Sequence, residues 1–301
     1  MRERILAVVG AVVLIVAAVA VRSLLAGDDG PASGGGGGSA ARPVVACTPD
    51  LRSVCEALVA DGAITAAPGP LDLAGAAEPP AEVTGWITWD PAPGVVNFDR
   101  PDTWLAPGVP LASAPLGVLA ASGPGQCPPT TTWAACVVAG ADAGLAVGIG
   151  PGTTAQGLAR LEPVARALVP AQGDFTTIPT ASLRRVLDSP QIAQADLVTQ
   201  LNTFLTRRGA LNLVVGAVPA LRTAAARQTT ATVASPTPAA TLTVVLATRT
   251  RAGTDPLPAD LVLDSDRAAT ALEALGLAAG TGSAAPPARA GELYAVLDKI
   301  R

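Results

Sequence analysis

Four cysteines, Cys47, Cys55, Cys127 and Cys136, are the most reactive side chains in the sequence, and their spacing limits what they can do. They fall in two close pairs, with no Cys-x-x-Cys motif and no histidine anywhere in the chain to complete a zinc site. Disulfides are the natural assignment in an oxidising compartment. Four cysteines allow three pairings; the local one, Cys47–Cys55 with Cys127–Cys136, is preferred, and sequence alone leaves the other two open. The missing histidine also removes the commonest general base and the Ser-His and Cys-His nucleophile pairs. Lys299 is the only lysine, and no Ser-x-x-Lys or paired-carboxylate arrangement stands out. An enzyme is therefore not expected, nor is a metal or cofactor. Four tryptophans, Trp86, Trp89, Trp104 and Trp133, lie within 48 residues of a chain with eight aromatics in all. Aromatics so concentrated either line a binding cleft or fill a core. Alternation along a strand would put Trp86 and Trp89 on opposite faces, leaving at most one in the core. Trp104, in a Pro-rich loop, is the strongest candidate for contact with a ligand or partner. Asp90 and Asp102 each stand beside a proline, where they could meet a cation or a polar solute or simply organise a turn.

The elements that position these residues can be read from periodicity. "RPVVAC" reads as a strand; Thr48 is an N-cap residue and Pro49 suits the first helical position. Leu51, Val54, Cys55, Leu58 and Val59 then repeat with helical spacing. A Cys47–Cys55 bridge would clamp that strand to its helix, at the strand end where open parallel sheets bind ligands and where a helix start offers free N–H groups. Further strands are expected at 85–91, 110–120, 144–149, 211–216, over "LTVVLAT" and over "DLVLDS". Helices are expected after the Thr153/Gln156 capping-box spacing, around 181–188, after Ser189-Pro190, after Pro219, over 266–275 and over 290–300. Strands alternating with helices make an α/β domain.

The chain of 301 residues is 50% hydrophobic and 15% charged. Ile5 to Val21 is unbroken apolar sequence, preceded by Arg2 and Arg4, and reads as a single-pass signal-anchor over 5–26 with residues 1–4 in the cytoplasm. A cleaved signal ending near Ala18-Val19-Ala20 is the competing reading, and both export the remainder. Residues 27–42, with five consecutive glycines, form a flexible linker. Residues 1–26 hold three arginines and one glutamate, so the net charge of −4 falls to −6 without them. An acidic exported domain without basic runs does not fit nucleic acid.

The ordered motifs "VVACTPDLRSVCEAL", "GWITWD", "RPDTWLAPG", "LASAPLGVLA", "TTWAAC", "GLAVGIGPGTTAQGLARL" and "LVVG" resemble extracellular solute-binding proteins of the type 2 periplasmic-binding fold. Within it they resemble molybdate/sulfate-type domains and modules paired with von Willebrand factor A proteins in actinobacteria. The resemblance implies an α/β domain over 43–301 with two lobes, one from 43–112 and 215–301, the other from 113–214. It implies a small polar or anionic ligand in the cleft, a role in transport, and ligand contacts from Thr48, Asp50, Ser113, Thr153 and Thr154, with Asp102 and Trp104 at the cleft edge. "CTPD" and "SAP" stand where hydroxyl-rich turns are usual, and "TRTRAGTDP" lacks the usual tyrosine. These departures keep a second reading open, a ligand-less interaction domain in a cell-envelope complex, with a von Willebrand factor A-type partner.

Overall fold

The computed structural model describes residues 42–300 except 122–126, 129, 171–174, 189–194, 229, 251–254 and 285. The expected membrane segment, the linker before Arg42 and the Ser189-Pro190 helix start lie outside the described residues. Among the described residues no helix is long and apolar enough to cross a membrane.

The strands are β1 (Val44–Cys47), β2 (Thr65–Ala66), β3 (Gly85–Trp89), β4 (Val109–Ala120), β5 (Val147–Gly148), β6 (Leu213–Ala217), β7 (Thr232–Ala234), β8 (Thr241–Thr248) and β9 (Ala278–Ala279). They join in the order β2-β1-β3-β8-β4-β6-β5, with β7 and β9 also paired to β4. β1 is parallel to both β2 and β3, β5 is parallel to β6, and β8 runs antiparallel between β3 and β4.

β4 belongs to two sheet halves. Its residues Val109 to Pro115 pair with β8, and Leu116 to Ala120 pair with β6 on one edge and, from Val118, with β7 on the other. The partner changes at Pro115, which has no N–H to extend the ladder, and the register shifts just after Pro110 for the same chemical reason. By pairing, β6 and β7 go with the second half. By strand pairing the chain returns to the first half between Ala234 and Thr241, whereas the resemblance implies a return at about residue 215.

The main helices are α1 (Arg52–Ala60), α2 (Ala92–Asp99), α3 (Ala155–Ala167), α4 (Thr180–Leu187), α5 (Leu197–Thr206), α6 (Val218–Ala225), α7 (Asp266–Ala274) and α8 (Pro287–Ile300). Both local disulfides form: Cys47–Cys55 ties the end of β1 to α1, and Cys127–Cys136 ties a loop to the π-helical turn Ala134–Val138. α3 runs through Pro163 unbroken, and every residue from Ala155 to Ala165 is buried. A helix covered all round must lie inside the molecule, and the small residues Ala155, Gly157, Ala159 and Ala165 allow that approach.

"DLVLDS", expected as a strand, is instead the helical turn Asp260–Leu263. Only Val262 of that turn is buried, and Ser265 Oγ accepts from Ala268 N at 3.0 Å to start α7, so helix entry governs the segment. Trp86 and Trp89 are both buried, because β3 is an interior strand with all five residues covered. Alternation decides the face a side chain takes, but not whether the other face meets water.

Candidate functional site

A cavity of about 770 Å³ lies where strand ends of both halves converge. The turn after β1 supplies Pro49 and Asp50, the end of β3 supplies Trp89, and the end of β6 supplies Ala217. This is the strand-end position expected of an α/β sheet. The volume is within the roughly 300–1,000 Å³ of small-molecule sites.

The inner wall is a chain of hydrogen bonds. Trp89 Nε1 donates to Asp50 Oδ2 at 2.6 Å, and Gln156 Nε2 donates to the same oxygen at 2.7 Å. Gln156 Oε1 accepts from Arg160 Nη2 at 3.2 Å and from the Leu197 N–H at 3.1 Å. Gln156 therefore stands between a carboxylate of the first half and a guanidinium of the second. Arg160 is wholly buried; its Nη1 donates to Gln200 Oε1 at 2.8 Å and to the Val215 carbonyl at 3.1 Å, while its Nε has no acceptor. Burial lowers the Arg160 pKa to about 10, against the opposing pull of Asp50 and Asp196. Gly150, at φ 85°, leaves room for this guanidinium, since a Cβ there would collide with Arg160 Nη2.

Asp72 makes a second link between the halves. Its Oδ1 accepts from Leu73 N at 2.9 Å and from Ala155 N, the first residue of α3, at 2.8 Å. Burial raises the Asp50 carboxyl above its ordinary value, only partly offset by the Trp89 bond; the neighbouring Asp72 charge adds to the rise. Burial likewise raises Asp72, against the N–H donors of Ala155 and Leu73. Asp196, at the start of α5, differs: partial burial opposes ionisation, but the Thr199 N–H at 2.9 Å and hydroxyl at 2.7 Å hold its carboxyl below the usual range.

The residues expected from sequence are divided among several places. Asp50 and Thr154 line the cavity. Thr154 is the N-cap of α3, its Oγ1 accepting from Gly157 N at 3.1 Å, so the cap lies one residue beyond the Thr153/Gln156 spacing and Thr153 is exposed. Thr48 is buried beneath the turn and makes no side-chain cap, because the turn it opens is the 3-10 segment Pro49–Leu51. Ser113, on β4, contacts Thr281 Oγ1 at 2.9 Å away from the cavity. Asp102, at φ 58°, borders a separate depression with Glu78 and Arg249. Trp104 is core: 1% exposed, 5.4 Å from Trp86 between ring centres, with Nε1 donating to the Ala76 carbonyl at 2.8 Å.

Sequence reasoning missed Asp72, Trp89, Gln156 and Arg160 as cavity residues. One signal was readable: Gln156 and Arg160 share an i, i+4 face on a helix whose first two turns are otherwise small and apolar, and polar groups on a buried helix must find partners.

The two sheet halves sharing β4, with a cavity at their junction, have the mixed α/β, two-lobe fold of periplasmic solute-binding proteins. No protein-family model matches the chain, and no curated protein matches it in sequence. Solved structures do. The apo ferric ion-binding protein A of Pasteurella haemolytica aligns over 86% of this chain and 98% of its own, with a TM-score of 0.52 at 11% identity. The periplasmic binding protein AfuA of Actinobacillus pleuropneumoniae, with fructose-6-phosphate bound, aligns over 83% and 88%, with a TM-score of 0.52 at 10% identity. At these identities the likeness is one of fold.

Proposed function

We propose that this chain is an exported solute-binding module, held at the cell membrane by residues 5–26, that takes a small polar solute between its two halves and acts as a binding component of transport rather than an enzyme. The observation that carries this reading is the cavity itself: strand ends of both halves meet around Asp50, Trp89, Gln156 and Arg160. A buried charged lining of this kind is costly to fold unless something uses it. The module would enclose its solute at the lobe junction. Thermal-shift measurements on the purified chain against sugars, amino acids, oxyanions and amines test the idea. A ligand at 100 times its Kd should add about 2.7 kcal/mol of stability; a flat response to every class removes the reading.

A second reading is favoured by one feature, the direct bonding of Asp50 and Asp72 to α3 across the junction. If those contacts are permanent, the module is a ligand-less interaction domain for an envelope protein, the von Willebrand factor A-type partner among them. A stoichiometric partner recovered from membranes, together with the flat thermal response, distinguishes this alternative.

A further inference from the structure

Resting on the solute-binding reading, we infer that the solute is an organic cation, a protonated amine or quaternary ammonium with an apolar body, and that the cavity rejects oxyanions. The first observation is what occupies the anion site. A buried helix start would normally offer N–H groups to a bound anion. Here Asp72 Oδ1 takes the Ala155 N–H, Thr154 Oγ1 takes the Gly157 N–H, and Asp50 holds the Gln156 amide. The chain has put its own carboxylates where an oxyanion would sit. Arg160, the cation nearest this point, spends both terminal nitrogens on protein acceptors, and its Nε is sealed from solvent.

The second observation is charge. Asp50, Asp72, Asp196 and Glu273 line the cavity against Arg160 and Arg227, which leaves a negative surplus when the four carboxyls are ionised. A carboxylate has about four acceptor positions. Asp50 holds the Trp89 and Gln156 donors on Oδ2, with the Thr48 hydroxyl and its own N–H also acting on the carboxyl, and Asp72 holds its two backbone donors on Oδ1, so acceptor positions remain for an N–H donor or a positive charge.

The third is shape. Leu197, Leu201, Leu205, Ala220 and Leu275 form an apolar wall, and the space far exceeds a single ion. Among the described residues no group of three His, Cys, Asp or Glu is placed to hold a metal ion. A bare ion would leave the apolar wall uncovered; an amine on a hydrocarbon body satisfies both surfaces.

The test is calorimetric titration of the full chain with choline, putrescine and butylamine, in parallel with sulfate, phosphate, glucose and glycine. Binding of at least one cation, weakened tenfold or more in Asp50→Asn and in Glu273→Gln, supports the inference. The second variant changes an exposed residue at the cavity mouth, so it remains informative should Asp50→Asn fold poorly. If an anion or a neutral solute binds and no cation does, the inference is overturned and the solute-binding reading stands. If nothing in either panel binds, and thermal shift is flat as well, both fall together.

Discussion

Asp50 concentrates the conflict between stability and binding. Burial lifts its carboxyl above the ordinary value, so the folded chain binds that proton more tightly than the unfolded chain does. Its stabilising contribution is full at pH below the ordinary carboxylate value and is lost as pH rises through the folded value. The ionised form of this buried carboxyl is therefore a liability to stability. Asp50→Asn keeps an oxygen for Trp89 and Gln156 and removes the charge, so the melting temperature at pH 7 should hold or rise while cation affinity falls. Affinity of the wild-type chain for the same cation should weaken as pH is lowered through the raised carboxyl range, because protonation removes the attracting charge. A variant that is both less stable and equally good at binding would assign Asp50 a purely structural role. Asp50 entered through the family resemblance, in the turn after the first strand, and the structure puts it on the cavity wall. Trp104 could not be excluded, because whether a loop tryptophan faces solvent or a neighbouring ring depends on Trp86 and Ala76, which reach it only through the fold.

The disulfides close loops of similar length but have different neighbours. In the chain-entropy account each loop of this size contributes about 2.5 kcal/mol by restricting the unfolded state. The paired replacement Cys47→Ser with Cys55→Ser should lose about that much stability and also weaken solute binding, since the bridge anchors the turn that presents Asp50. The paired replacement Cys127→Ser with Cys136→Ser should cost a similar amount with affinity unchanged, because none of its bridged elements lines the cavity. Denaturant midpoints and titrations of both double variants separate the effects; equal losses of affinity would mean that the first bridge has no special positioning role. At this scale the sequence was informative. Short cysteine separations favour local pairing, and β1, β3, β4, β6, β8 and most long helices follow their hydrophobic periods. The failures occurred where local pattern and tertiary demand diverged: the apolar "DLVLDS" became a helical turn, and the cap on α3 moved from Thr153 to Thr154. Gly157 helps explain the second case. The Pro151 carbonyl folds so closely over it that any Cβ would clash, which fixes Thr154 at the helix entrance.

At the scale of the molecule, the two halves are fastened on more than one side. Facing the cavity are the Asp72–Ala155 and Asp50–Gln156 bonds. Elsewhere α8 packs along α2, with Phe98 stacked on Tyr294, and also reaches the second half, where Lys299 Nζ donates to the Phe175 carbonyl at 3.0 Å. Between these, buried Glu162 on α3 accepts from Arg166 Nε at 2.7 Å and from both Nε and Nη2 of Arg289 on α8. The Glu162 hydrogen bond raises the Arg289 pKa, so this cation is firmly held at all physiological pH. Hinge-bending binding proteins close on their ligands. Here protein–protein contacts already join the halves, so the free energy of ligand binding does not have to bring them together. Small-angle scattering of the full chain should therefore show no measurable fall in radius of gyration on saturation with a bound cation. Glu162→Gln weakens the fastening while leaving the cavity lining intact, and should cost about 1.5–3 kcal/mol, the range for hydrogen bonds to charged partners. With the clasp loosened, the ligand-free variant should expand and recover a ligand-dependent contraction. A wild-type chain that contracts on binding would show that these contacts yield readily, and would return the molecule to the ordinary hinge mechanism.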